Sequence, residues 1–442
     1  MKKIFLTLLL GLLGWVNILA QDTLSFKPEG FRPPWLLLRM LYGGKALYLQ
    51  AADSIPQDGY VHFILENQPT GEYALQFDVN QPRGFRFIYH GQSMKLHFDK
   101  KGQAVSVEGS KENQIYFAFR RQYDSLRKRI KNLEKQYARQ ASPGLKKEYI
   151  QTRKQYYALF DRYAREARGL FAAHLIAAHK DAFPPEPLTS LNDYVRYDEA
   201  HYFDYTPMND SVLIRSNVLT DRIMRYVFRM PVKGYGKDKT DAYLRRMKNI
   251  FDRLTYPPMR AEMLRGFIGV FHKTDRDVEK YLVDLYEQLP EKWQEPDFLD
   301  NLKKIKVPAK GDVLPLADLR PLGKLKLPAG KKYYLFVFYS SDCPHCQKAI
   351  PWAYKHLKNR KDIAVLAVGL ETEPEHWKQF VAPYTGWQHI AAFNNDYNRI
   401  VQAYGIEYTP TWFLTDAKLK ILETVTGDKE FKKVLRYFGL FQ

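Results

Sequence analysis

The pattern of hydrophobic and polar positions changes twice along this chain of 442 residues. Over residues 22–110 apolar and polar residues alternate, which is the period of a strand buried on one face. The clearest alternating runs are 73–79, 94–98 and 105–107, with turn residues between them. We therefore predict a β-rich domain over residues 21–110, folded as a small sandwich or barrel.

The period lengthens to that of a helix after residue 110. Apolar side chains recur every three or four residues over 119–137, stop at Ser142-Pro143-Gly144, and recur over 149–163. This pattern predicts two antiparallel helices packed along an aromatic seam. The helical period continues, so we predict an α-helical region over residues 111–310 that contains this helical hairpin.

From residue 311 onward, short apolar runs alternate with helical segments. Tyr333 to Phe338 is a continuous apolar run, typical of a strand covered on both faces. Further strands are predicted at 363–370, 411–415 and 421–425, and helices at 374–381, 397–404 and 429–438. This order predicts a C-terminal α/β domain over residues 311–442, in which a strand–helix–strand unit precedes two antiparallel strands and a helix.

The first twenty residues have the pattern of an export signal. Two lysines precede the apolar run 4–13, and the small residue Ala20 precedes Gln21-Asp22. We predict a signal peptide over residues 1–20 and a protein exported to the periplasm or the cell envelope. The alternative is an uncleaved N-terminal anchor, although the run is short for a membrane span.

Composition adds a strong positive charge, concentrated in the predicted hairpin. The chain carries a net charge of +19, and residues 111–168 contain 16 Lys or Arg against 6 acidic residues, which is +10 of that total. One interpretation is a surface that binds an anionic envelope partner, such as lipid head groups, polysaccharide or acidic proteins. The other is an ordinary solvated helix face. Nucleic acid is not among the expected partners.

Both cysteines of the chain lie in one motif, Cys343-Pro344-His345-Cys346, shortly after the apolar run 333–338. The preceding Ser340-Ser341-Asp342 supplies side chains that cap helices, and proline is tolerated in a first helical turn. At a helix start, unpaired N–H groups and the helix dipole stabilise a thiolate. The motif therefore predicts a redox-active dithiol at the junction of a strand and a helix.

Other uses of a CxxC motif fit this chain poorly. A zinc site needs further ligands, but the chain has no third cysteine and no nearby histidine pair at ligand spacing. Haem attachment needs histidine after the second cysteine, where this chain has Gln347. A structural disulfide is awkward at this spacing on a helix start. We expect neither a metal nor a cofactor.

The strand, CxxC and helix together resemble the thioredoxin superfamily, and Pro344-His345 is the dipeptide of its periplasmic dithiol oxidase. The segment 408–414, Tyr-Thr-Pro-Thr-Trp-Phe-Leu, is similar to the cis-proline segment of the superfamily. The resemblance implies that Cys343 is the nucleophile, that Cys346 resolves the mixed disulfide and that His345 tunes the thiolate. It also implies that Thr409 and Pro410 shape the edge that binds substrate peptides.

The regions before this domain also resemble parts of bacterial envelope proteins that carry thioredoxin modules. The β-rich domain ends in a similar Val-Glu-Gly-Ser stretch at 107–110, and residues 201–226 loosely resemble a helical linker. The chain departs from the superfamily at three positions, one of which is Asp342, where the residue before the first cysteine is often aromatic. Val337 replaces the buried acid of thioredoxin, and Ala349 replaces a glutamate common in related envelope reductases.

We therefore predict an enzyme, an exported thiol–disulfide oxidoreductase that exchanges disulfides with client proteins through its CPHC dithiol. Its partners would be client proteins with thiols or disulfides and a separate redox partner. The sequence leaves open whether the protein works as an oxidase or as a reductase. The alternative is a non-catalytic envelope binding or scaffold protein that uses the thioredoxin fold as an interaction module.

Overall fold

The structure, a computed structural model, describes residues 21–78, 84–232 and 234–441. The predicted signal peptide, residues 1–20, lies outside the described residues. The chain forms two compact units: the described residues up to Leu191 with Arg215–Val218, and Asn192–Ile214 with the residues from Leu219 onward. Among the helices in the described ranges, none has both the length and the apolar character needed to cross a membrane.

The described N-terminal region consists of strands arranged in two four-stranded sheets. The strands are β1 (Asp22–Glu29), β2 (Leu36–Tyr42), β3 (Lys45–Ala52), β4 (Val61–Leu65), β5 (Gly71–Gln76), β6 (Gly84–Tyr89), β7 (Met94–Asp99) and β8 (Ala104–Glu108). The sheet orders are β4-β1-β7-β8 and β3-β2-β5-β6. Strands β1 and β7 pair in parallel, and the other neighbouring pairs are antiparallel.

The two sheets enclose a shared aromatic core. Strand β4 alternates strictly between buried and exposed residues, as expected for a strand with one face toward a core. The ring of Phe26 in one sheet lies 5.1 Å from the ring of Phe87 in the other. The region is a sandwich, and the prediction of a β-rich N-terminal region is confirmed.

The predicted hairpin consists of helices α1 (Lys111–Arg139) and α2 (Pro143–Glu166), followed by α3 (Phe171–Ala178). Ser110 and Ser142 cap the first two helices by accepting hydrogen bonds from backbone N–H groups. The helices run antiparallel, because Gln122 near the start of α1 contacts Tyr163 near the end of α2. The ring of Phe119 packs edge-on against that of Tyr163 at 5.5 Å, in the aromatic seam that the period predicts.

Several basic side chains of the hairpin have partners within it. Arg129 pairs with Glu148 at 2.9 Å, and the guanidinium of Arg162 lies 4.5 Å from the ring centre of Tyr163. Such contacts are typical of a solvated helix face held by local pairs. Binding of an anionic envelope surface by this hairpin stays a prediction.

The second unit begins with helices and ends with an α/β domain. Its helical part contains α4 (Leu191–His201), α5 (Val218–Phe228), α6 (Lys237–Arg253), α7 (Pro257–His272), α8 (Arg276–Glu287) and α9 (Phe298–Lys303). With the hairpin, these helices confirm the predicted helical middle region. The helices from Asn192 onward belong to the same compact unit as the α/β domain. The predicted domain bounds stay a prediction.

The C-terminal domain is built on a five-stranded sheet. Its elements are β9 (Tyr333–Tyr339), α10 (Cys346–Leu357), β10 (Ile363–Glu371), α11 (Pro374–Val381), β11 (Gln388–Phe393), α12 (Asn395–Tyr404), β12 (Thr411–Asp416), β13 (Ile421–Val425) and α13 (Asp428–Tyr437). The strand order is β11-β10-β9-β12-β13. The first three pair in parallel, and β12 and β13 are antiparallel additions.

Strand β9 lies at the centre of this sheet, and each of its residues is buried. Helices α10 and α13 pack on one face of the sheet, and α12 packs on the other. This is the α/β arrangement that the sequence predicts, with one additional strand, β11. The burial of both faces explains why the sequence of β9 is apolar without alternation.

A buried group of charges joins the helical part of the second unit to the sheet. The Glu423 carboxylate in β13 accepts hydrogen bonds from the backbone N–H of Gly236 at 2.8 Å and from Lys239 at 3.2 Å. Lys310 lies 3.3 Å from Asp275 and 3.8 Å from Glu423, and it also donates to the carbonyl of Gly236. Each buried charge therefore has an oppositely charged partner, as burial requires.

Candidate active site

The CxxC motif follows strand β9 and lies at the end of the sheet where the carboxyl ends of the parallel strands meet. After Tyr339 the chain turns, with the N–H of Cys343 donating to the carbonyl of Ser340 at 3.2 Å. Helix α10 begins at Cys346, and its first turn is tied back by a hydrogen bond from Gln347 N–H to the Cys343 carbonyl at 3.0 Å. Cys343 therefore lies immediately before a helix N-terminus, where N–H groups lack partners within the helix.

The two cysteines are free thiols in different environments. Cys343 is half-buried, and its Sγ lies 3.4 Å from the carbonyl oxygen of Thr409. Burial by itself raises the pKa of the Cys343 thiol, but hydrogen bonds from the Thr409 side chain, from the Cys346 thiol and from the backbone N–H groups of Cys346 and His345 lower it overall. The net effect is a pKa below the ordinary value, as a nucleophilic thiol requires.

Cys346 lies inside the core with no exposed surface. Burial, together with the neighbouring Cys343 sulfur, raises the pKa of the Cys346 thiol to about 12. Val337 and Ala349, which stand where related proteins have acidic residues, pack in the same apolar cluster as Cys346. Neither position therefore places a carboxylate beside the buried thiol. The opposite pKa shifts of the two thiols make Cys343 the one that ionises first.

Strand β12 brings the segment around Pro410 next to the cysteines. It pairs with β9 so that Thr411 lies opposite Phe338, and the Thr409–Pro410 peptide bond is cis. Pro410 is buried, Thr409 is half-buried, and Tyr408 is 69% exposed. This places a backbone edge with an exposed aromatic side chain beside the sulfur of Cys343.

His345 is exposed and precedes the first residue of α10. Its backbone N–H is one of the groups that lower the pKa of the Cys343 thiol. Asp342 is also exposed, and its carboxylate lies 3.0 Å from Nδ1 of His376. The acid before the first cysteine therefore contacts a histidine of α11, and the imidazole of His345 stays open to solvent.

Glu371 is an acid buried beside the CxxC turn that no motif in the sequence indicated. Its carboxylate accepts hydrogen bonds from the backbone N–H of Ser341 at 2.9 Å and from the Ser341 hydroxyl at 2.6 Å. Burial and the negative charge of Asp342 raise the pKa of this carboxyl, whereas the Ser341 hydrogen bonds act in the opposite direction. The sequence does contain a signal for this position, because Glu371 directly follows a predicted strand and the carboxyl ends of parallel strands lie at the same end of a sheet.

No group of three or more His, Cys, Asp or Glu side chains in the described ranges is arranged to hold a metal ion.

Comparison with known proteins gives a family match for the C-terminal part of the chain. Residues 309–436 match the Redoxin family. A search of curated proteins found no match.

Solved structures of thioredoxin-like proteins and thiol-disulfide oxidoreductases resemble about a quarter of the chain. The thioredoxin domain of a thiol-disulfide oxidoreductase from Bacteroides vulgatus is 24% identical, with 24% of this chain and 79% of that one covered, at a TM-score of 0.22. A thiol:disulfide interchange protein from Bacteroides sp. is 24% identical over 25% and 74% of the chains, at 0.22. A thioredoxin-like protein from Aeropyrum pernix is 17% identical over 24% and 78%, also at 0.22.

The residues that match the family have the topology expected from the sequence. A strand–helix–strand unit with the CxxC at its first helix is followed by an antiparallel strand pair and a closing helix. Residues 309–436 of this chain therefore form a thioredoxin-like domain that matches the Redoxin family.

Proposed function

We propose that this protein is an exported thiol–disulfide oxidoreductase that exchanges disulfides with client proteins through Cys343 and Cys346. The observation that carries the proposal is the difference between the two thiols. The accessible one has a lowered pKa, and the buried one has a pKa of about 12. A disulfide exchange enzyme needs this division, because one thiolate attacks and the second thiol waits until the mixed disulfide has formed.

The proposed reaction begins with the Cys343 thiolate, which attacks one sulfur of a client disulfide. The client S–S bond breaks, a mixed disulfide forms, and the second client sulfur leaves as a thiolate. Cys346 then loses its proton and attacks the Cys343 sulfur, which forms the Cys343–Cys346 disulfide and releases the reduced client. The same steps in reverse oxidise a client, and the reduction potential of the pair relative to its redox partner sets the direction.

Client binding is proposed to use the edge formed by Thr409 and Pro410. The backbone there lies beside the Cys343 sulfur, so a peptide that pairs with it would bring its own sulfur within reach of the thiolate. Tyr408, which is exposed, offers an aromatic face to client side chains at the same edge.

The second candidate function is a binding or scaffold role with no turnover. The N-terminal sandwich and the helices make up most of the chain, which is the observation in its favour. Reaction of the reduced protein with an aromatic disulfide separates the two candidates. Rapid exchange that depends on Cys343 supports the enzyme, and a rate no higher than that of free cysteine favours the scaffold.

Replacing His345 by glycine should lower the reduction potential of the Cys343–Cys346 pair. A donor or cation at the helix start stabilises the reduced form, in which the Cys343 sulfur is an anion, more than the neutral disulfide. Because the imidazole is exposed, the expected shift is modest, on the order of tens of millivolts. The measurement is a glutathione-equilibrated titration followed by thiol alkylation. An unchanged potential would show that the imidazole does not tune the pair.

Export is expected to remove the first twenty residues. Lys2 and Lys3, the apolar run 4–13 and the small residue Ala20 support cleavage after Ala20. Mass spectrometry of protein purified from a bacterial host with an envelope should find Gln21 or a close neighbour at the N-terminus. An intact N-terminus in the membrane fraction would instead favour the uncleaved anchor.

A further inference from the structure

Glu371 is a buried carboxylate attached to the turn that carries the reactive cysteine. Only 2% of its surface is exposed, and both of its oxygens accept hydrogen bonds from Ser341, one from the backbone N–H and one from the hydroxyl. Ser341 is fully buried. The carboxylate thus holds Ser341, two positions before Cys343, by two hydrogen bonds. Both hydrogen bonds are charge-assisted when Glu371 is ionised.

The held residue is connected to both cysteines. The Ser341 carbonyl accepts a hydrogen bond from Nε2 of Gln347 in the first turn of α10, at 2.9 Å. The carbonyl of the neighbouring Ser340 accepts a hydrogen bond from the Cys343 N–H at 3.2 Å, and the Ser340 backbone acts to lower the pKa of the Cys346 thiol against the larger effect of burial. A shift of Ser341 would therefore move the groups that position and stabilise both sulfurs.

Three ionisable side chains face the Glu371 carboxylate. Asp342 raises its pKa and His376 lowers it, while the Tyr339 phenol has a pKa raised by burial and by the same carboxylate. His376 Nδ1 lies 3.3 Å from the Ser341 hydroxyl, and the His376 side chain is 45% exposed. The indole N–H of Trp377, a residue of α11, donates to the Tyr339 hydroxyl at 3.0 Å.

A buried ionised carboxylate of this kind is costly for folding. Its raised pKa means that the folded state binds the proton more tightly than the unfolded chain does, so the ionised acid lowers stability as the pH rises above the unfolded pKa. A neutral residue of the same shape would avoid this cost. The presence of the Glu371 carboxylate beside a reactive thiol therefore indicates a role other than stability.

We propose that Glu371 is a positioning residue for the thiol chemistry, which holds Ser341 so that the turn presents the Cys343 sulfur at the helix start and the Ser340 backbone to Cys346. The inference rests on the proposed disulfide exchange. The carboxylate touches neither the substrate nor a sulfur in this role, and it acts through Ser341.

The test compares Glu371→Gln with Glu373→Gln, which removes an exposed acid two residues further on. Reaction with an aromatic disulfide is measured from pH 4 to pH 9, and each rate is divided by the thiolate fraction obtained from ultraviolet absorbance. Glutamine can accept only one of the two Ser341 hydrogen bonds. We expect the normalised rate of Glu371→Gln to fall about tenfold, the factor that follows from the loss of one charge-assisted hydrogen bond. Its melting temperature should be equal or higher, and Glu373→Gln should match wild type.

The pH profile provides a readout that a purely structural role would not change. The wild-type normalised rate should fall as the pH decreases through the raised pKa of Glu371, and this inflection should be absent from Glu371→Gln. An unchanged normalised rate with the inflection still present would overturn the proposal.

If Glu371→Gln does not fold, Ser341→Ala decides, because it removes the hydroxyl contacts to Glu371 and His376 and keeps the hydrogen bond from the Ser341 N–H to Glu371. Its normalised rate should fall about threefold, a loss typical of one hydrogen bond, and a wild-type value would overturn the proposal. Failure of the proposed function itself would look different, since wild type and Glu373→Gln would then both lack exchange.

Discussion

Replacing Cys343 by serine should lower the rate of disulfide exchange by about a thousandfold or more, because a serine hydroxyl is not ionised near neutral pH and cannot replace the thiolate nucleophile. Cys346 cannot compensate, since it is buried and its pKa is about 12. The measurement is the reaction of the fully reduced variant with an aromatic disulfide at neutral pH. Wild-type exchange should increase with pH through the lowered pKa of Cys343 and then level off.

The matched control is Cys346→Ser, which keeps the attacking thiol. This variant should react with a disulfide at a rate close to that of wild type, but the reaction should stop at the mixed disulfide because the resolving thiol is missing. Non-reducing electrophoresis and mass spectrometry would then find clients linked through Cys343. If mixed disulfides formed only in Cys343→Ser, through Cys346, the roles of the two cysteines would be reversed.

Replacing Glu423 by alanine should destabilise the second unit by about 3–5 kcal/mol, the cost typical of removing one member of a buried ion pair. The substitution leaves the Gly236 N–H without its acceptor and Lys239 without its carboxylate partner. It also removes Glu423 from the surroundings of the buried Lys310, which keeps Asp275 as a carboxylate partner. The effect should be large because these groups are shielded from water, which cannot replace the lost contacts.

Urea unfolding followed by tryptophan fluorescence measures this effect, since five of the seven tryptophans follow Asn192 in the chain. The matched control is Glu375→Ala, which removes an exposed acid paired with Lys378 on the surface of the same unit. That variant should unfold at nearly the wild-type urea concentration, because solvent screens the pair. Equal stability of both variants would show that the buried charges are not needed to join the helices to the sheet.

Local patterns were sufficient to predict most elements of the C-terminal domain. Strand β10 ends one residue beyond its predicted bound, and helix α13 is displaced by one residue at each end. The β10 segment was predictable because it is a continuous apolar run, and the α13 segment because its apolar residues have the spacing of an amphipathic helix. Strand β11 has no such signal, because the Gln388–Phe393 segment contains two alanines and two polar residues. It becomes a strand by pairing with β10.

The sequence by itself determined the α/β character of the last domain and the position of the two cysteines at a strand–helix junction, because both depend on residues close together in the chain. Only the tertiary structure decided that Glu371 lies against Ser341, 30 residues away, and that Glu423 accepts from Gly236, 187 residues away. Those contacts depend on which strands become neighbours and in which register. The energies that select the neighbours come from packing between distant segments, and no local period records them.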